Sequence, residues 1–96
     1  MLFMVRMQVQ LPPDLDPERR DRLVAAERGY SQELQRSGRI AGIWRVAGQF
    51  ANYCLFDVAD ADELHGCVSG LPMFAYITAR VEALSRHPNA VAAAGP

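Results

Sequence analysis

Ninety-six residues, half of them hydrophobic and 22% charged, with a formal net charge of −1, describe one soluble globular domain built around a single core. The ten basic residues are all arginine and are scattered among eleven acids without forming a block, so the electrostatic footprint of a nucleic-acid binder is missing. A chain this short has little material for an enclosed active site of its own, which makes a partner subunit a reasonable expectation.

Phe3, Val5, Met7 and Val9 alternate with Met4, Arg6, Gln8 and Gln10, the period-2 pattern of a first strand that Leu11-Pro12-Pro13 ends. That alternation leaves no continuous apolar run for a signal peptide or a membrane span, so a cytoplasmic location is expected. Asp16-Pro17 offers an N-cap followed by proline at the first helical position, and the spacing predicts a helix over 17–37, stopped by Gly38. Glu18 and Arg22 can pair on its outer face. A second strand is expected over 39–47 and a third over 50–58, joined by a two-residue turn at Gly48-Gln49.

Asp60-Ala61-Asp62-Glu63 has the form of a capping box, and Leu64, Cys67, Val68 and Leu71 give the following helix its apolar stripe until Gly70 and Pro72 stop it. Residues 76–84 alternate again, with Ile77, Ala79, Val81 and Ala83 on one side, and predict a fourth strand. The tail from His87-Pro88 has no periodicity, and 88–96 are expected to be loosely held. The order β-α-β-β-α-β predicts an α+β, ferredoxin-like fold over 1–96: a four-stranded antiparallel sheet with both helices on one face. Leu2, Met4 and the hairpin would leave the other face partly apolar, which implies burial against another copy.

Glu27 is the most informative residue. Leu23, Tyr30 and Leu34 form the inward stripe of the first helix, and Glu27 falls four residues after Leu23 and three before Tyr30, so it points inward with them. Its i±3 and i±4 neighbours are Leu23, Val24, Tyr30 and Ser31, none of them basic. A carboxylate turned inward without a local cation has a raised pKa and tends to belong to a site; the alternative is a Glu that snorkels to water or meets an arginine from elsewhere.

Trp44 and Arg45 are adjacent in a strand and therefore face opposite ways. An arginine held beside a pocket is a bidentate carboxylate clamp, and otherwise it reaches the sheet edge or pairs with Asp57. Asn52 and Tyr53 on the facing strand can offer hydrogen bonds. His65 lies at the margin of the second helix's apolar stripe, where a surface role competes with a site role. Cys54 and Cys67 sit among apolar neighbours and read as reduced core residues, since neither has metal or redox spacing. With no metal constellation, nucleophile elbow or phosphate loop in the sequence, the chemistry left is cofactor-free acid–base work by one carboxylate.

The whole chain to about Pro88 resembles the muconolactone Δ-isomerase family. The resemblance is carried by Met1-Leu2-Phe3 with Val5, Met7 and Val9, by Leu11-Pro12, Leu15-Asp16-Pro17, Glu27 and Leu34-Gln35. It continues through Trp44-Arg45, Ala47-Gly48, Ala51-Asn52-Tyr53, Phe56-Asp57-Val58, Glu63-Leu64-His65, Leu71-Pro72, Phe74, Tyr76 and Arg86-His87-Pro88. Single pieces are weak; in this order and spacing they are specific. The departures are the segment 39–43, which lacks the bulkier residues usual before Trp-Arg, Met4 where a His often stands, and Ala75 in place of a Pro, and they bear on pocket shape and substrate preference.

The resemblance implies a homodecamer built from dimers of the α+β barrel type, sites lined by two subunits, and a place in the 3-oxoadipate route for aromatic compounds. It implies Glu27 as catalytic base, acting without cofactor or metal. Arg45, Asn52 and His65 are then expected to hold the substrate carboxylate or the enolate oxygen, with Trp44, Phe74 and Tyr76 as apolar walls. A chloromuconolactone dehalogenase would need the same base. More distant readings are a cofactor-free monooxygenase and a non-catalytic ligand-binding module.

Overall fold

The structure is a computed structural model, and it describes residues 1–91. The elements in chain order are β1 (Leu2–Val9), α1 (Pro17–Arg36), β2 (Ile40–Arg45), β3 (Ala51–Asp57), α2 (Ala61–Ser69), a 3₁₀ turn (Phe74–Tyr76) and β4 (Ile77–Leu84). The strands form one sheet in the order β2-β3-β1-β4, every neighbouring pair antiparallel, which is the ferredoxin-like arrangement expected from the element order.

β1 lies in the middle of the sheet and buries Phe3, Val5, Met7 and Val9 against the helices. Leu34 of α1 and Leu64, Cys67 and Val68 of α2 close over that face, together with Phe56 and Cys54 of β3. Phe56 is wholly buried, so its truncation to alanine would cost about 3–5 kcal/mol.

The helix ends follow the capping chemistry of the sequence. Asp16 accepts a hydrogen bond from the Arg19 N–H at 3.2 Å, Pro17 opens α1, and Gly38 takes φ +83° just past its end. At α2 the Asp60 carboxylate accepts from the Glu63 N–H at 2.9 Å, and Glu63 reaches back to the N–H of Ala59, one residue before the cap. The two helices are tied where the Tyr30 hydroxyl donates to the Cys67 carbonyl at 2.8 Å. Gly70 permits this approach, because a Cβ there would run into the Tyr30 hydroxyl.

Four expectations change. The hairpin turn is longer than two residues: β2 ends at Arg45 and β3 starts at Ala51, with the Gln49 N–H bonding to the Val46 carbonyl and Gly48 at φ +80°. β4 begins at Ile77, since Tyr76 is held in the 3₁₀ turn by its N–H bond to the Met73 carbonyl. Along β4 the alternation is present but not buried: Val81 is 49% exposed, because this edge strand lies beyond the reach of both helices. Finally, β2 carries a bulge between Ile40 and Gly42. The proposed tail falls partly at 92–96, outside the described residues.

Candidate active site

The bulge decides which residues of β2 reach the site. With Ala41 as the extra residue, Ile40 and Ile43 fall opposite Phe56 and Cys54 on the helix-covered face. Arg45, opposite Asn52, follows them onto the same face, and Trp44, opposite Tyr53, is turned to the open face. Without the bulge the two would exchange places. The Trp44 indole then lies back over Gly42, which has no side chain to displace it.

Glu27 projects from the inner face of α1 into a cleft between that helix and the sheet. Two cavities meet there, of about 250 and about 70 Å³, and both are bordered by Glu27, Ser31 and Asn52. The larger adds Arg28, Arg45 and Phe50 with the apolar walls Val9, Val24 and Met73; the smaller runs inward past Ile43, Cys54 and Leu71. Arg45 lies over the Phe50 ring, its guanidinium carbon 5.4 Å from the centroid, and does not pair with Asp57, which faces the N-terminal ammonium at 3.8 Å.

One oxygen of Glu27 is fixed. Its Oε1 accepts a hydrogen bond of 3.0 Å from the backbone N–H of Met73, in the turn that follows α2. Among the described residues no cation pairs with this carboxylate, so Oε2 is left toward the cleft. Burial pushes the Glu27 pKa up, and the Met73 N–H offsets this only in part. Burial, and secondarily the Glu27 charge, push the neighbouring Cys54 thiol up to about 12, so it stays protonated at neutral pH. Its Sγ sits 3.4 Å from Oδ1 of Asn52.

Of the site residues that the resemblance implied, Arg45 and Asn52 join Glu27, and four do not within one chain. Trp44 is 54% exposed on the opposite face of the sheet, His65 is exposed on α2, and Phe74 is 42% exposed on the 3₁₀ turn. Tyr76 borders a separate surface cavity with Leu15, Arg19, Arg22 and Leu23. The apolar walls beside Glu27 therefore come from Val9, Val24, Phe50 and Met73 instead. Sequence reasoning missed Arg28, Ser31 and the Met73 N–H. Ser31 carried a signal, standing one turn beyond Glu27 on the same face; the backbone donor carried none.

The arrangement suits proton transfer at carbon: an uncompensated carboxylate with one oxygen anchored, a donor amide, and a cation at the rim. Comparison with known proteins agrees over nearly the full chain. The family model described as muconolactone delta-isomerase matches residues 1–90. The muconolactone delta-isomerase of Rhodococcus opacus is 50% identical over 90 residues, covering 94% of this chain and 97% of that one. Muconolactone delta-isomerase 1 of Acinetobacter lwoffii is 48% identical over 91 residues, covering 95% of each. A crystal structure of muconolactone isomerase superimposes with a TM-score of 0.90 at 44% identity, covering 95% of both chains.

Proposed function

The chain belongs to the muconolactone delta-isomerase family, and from that premise we propose that it shifts the ring double bond of muconolactone to give 3-oxoadipate enol-lactone, with Glu27 as the only base. The C4–H of the substrate is acidified through the conjugated lactone carbonyl. Glu27 takes that proton, leaving a dienolate whose charge is spread to the carbonyl oxygen, and returns it at C2. One carboxylate serves both steps if both carbons present the same ring face to it. The observation that carries this reading is the state of Glu27: half-buried, raised in pKa, unpaired with any cation among the described residues and anchored through one oxygen.

Arg45 is the group for the acetate carboxylate, since a guanidinium at the rim binds both oxygens and points the ring inward. Asn52, deeper in the cleft, suits the enolate oxygen, where one well-placed donor is worth roughly 3 kcal/mol in the transition state. Apolar walls keep the base desolvated. The relatives named above are isomerases, which weighs against a dehalogenase using the same base.

The site belongs in this proposal to a cytoplasmic homo-oligomer, a decamer built from dimers, in which a neighbouring subunit covers what one chain leaves open. Supporting it are Trp44, Tyr53 and Leu84, all at least 40% exposed on the face no helix covers, and the unburied apolar side of β4. Among the described residues no helix is long and apolar enough to cross a membrane. The test is to mix purified protein with muconolactone and, separately, with its chlorinated analogue, following ultraviolet absorbance, chloride release and oxygen uptake. Isomerisation without chloride release or oxygen consumption is expected; no turnover of muconolactone would reject the proposal.

A further inference from the structure

Cys54 is more than filler in the floor of the cleft. It is 1% exposed, and its Sγ lies within hydrogen-bond reach of Asn52 Oδ1, two residues back on the same face of β3. The residues opposite it on the adjoining strands are Val5 and Ile43, both apolar, so no polar side chain beside it in the sheet competes for the thiol proton. Among the described residues the Asn52 side chain makes no other hydrogen bond.

An isolated carboxamide has two orientations related by a half turn, and they present opposite chemistry to the cleft. With the oxygen inward, Asn52 would repel both the Glu27 carboxylate and a developing enolate. With the nitrogen inward, it donates to that enolate. A donor held against Oδ1 selects the second orientation.

We propose that the Cys54 thiol is a positioning group for the isomerase site: its S–H donates to Oδ1 of Asn52 and turns the Nδ2 hydrogens into the cleft, where the substrate's enolate oxygen forms. This rests on the function proposed above. A thiol suits the task because it supplies a donor in an apolar surround without offering a competing base. Buried and protonated, it is neither a nucleophile nor a second proton acceptor next to Glu27.

The test has two arms. The infrared S–H stretching band of Cys54 is isolated as the difference between wild type and Cys54→Ala, both in a protein that keeps Cys67. Asn52→Leu should move this band to the position of an unbonded thiol, whereas a band unmoved by Asn52→Leu overturns the proposal without reference to turnover. In the kinetic arm, Cys54→Ala should lower kcat roughly two- to tenfold, the worth of one ordinary hydrogen bond, with little change in KM. Cys54→Ser, which keeps a donor and nearly the same volume, should restore most of the rate. Made on top of Asn52→Leu, Cys54→Ala should have no further effect on kcat. An equal loss in both backgrounds, or a loss that serine does not repair, would reduce Cys54 to packing. Absence of muconolactone turnover in wild type would instead indict the function, leaving the infrared arm to decide this point alone.

Discussion

The two faces of α1 carry the same residue type to opposite ends. On the outer face Glu18 lies 3.9 Å from Arg22 and Glu33 lies 3.4 Å from Arg36, all four side chains well exposed. Such pairs are worth about 0.3–0.5 kcal/mol each and are readily screened. On the inner face Glu27 has apolar residues and Ser31 where the others have arginine, and its partner is a backbone N–H from another element. On the function proposed above, what fits Glu27 and not Glu18 or Glu33 to act as a base is the cation withheld from it. An arginine at 23, 24, 30 or 31 would hold Glu27 ionised and lower its basicity.

Arg45→Met sharpens the contrast most, because it removes the one cation of the sheet that borders the cleft. KM for muconolactone should rise roughly ten- to a hundredfold, the worth of a charge-assisted contact of about 1.5–3 kcal/mol, and steady-state kinetics will read it. An unchanged KM would mean the carboxylate is held by Arg28 or by another subunit. Next in size is Gly70→Ala, which places a Cβ against the Tyr30 hydroxyl and forces the inner face of α1 away from Cys67. A loss of about 1–3 kcal/mol in urea unfolding is expected, as for other overpacked contacts.

The third effect is one of pH. The folded-state pKa of Glu27 lies above its unfolded value, so the native state binds that proton more tightly. The stability this contributes is complete below the unfolded value and is lost as pH rises through the folded one. Glu27→Gln cannot lose it, so the Tm of the variant relative to wild type should increase from about pH 4 toward pH 7. A gap that stays constant over the same range would place the carboxylate in water, and one that shrinks would mean that a folded-state partner holds it ionised. Smallest of all, Glu18→Gln and Glu33→Gln should change stability by no more than about 0.5 kcal/mol and leave turnover alone.

How far the fold and the site can be read ahead depends on what each feature is made of. The alternation of β1 and the caps at Asp16 and Asp60 are local, and the structure keeps them nearly residue for residue. β4 alternates just as clearly, yet its apolar side is exposed, since periodicity encodes a strand and not its distance from the helices. The inward turn of Glu27 was legible because helical spacing fixes direction. The facing of Trp44 and Arg45 was not, because it depends on a bulge at Ala41 that no local pattern announces. Asn52 reached the site through register with Arg45, and the Met73 N–H through the course of the chain after α2, both long-range properties.

The central claim is that Glu27 alone moves the proton, and the rate of muconolactone isomerisation by Glu27→Gln tests it most directly. Glutamine keeps an oxygen for the Met73 N–H and removes the base. Light scattering and circular dichroism matched to wild type will show that fold and assembly persist. The account predicts a loss of about a hundredfold or more, the usual consequence of deleting a general base. A variant retaining more than about a tenth of the wild-type rate would contradict it, since a removed general base typically costs at least ~10².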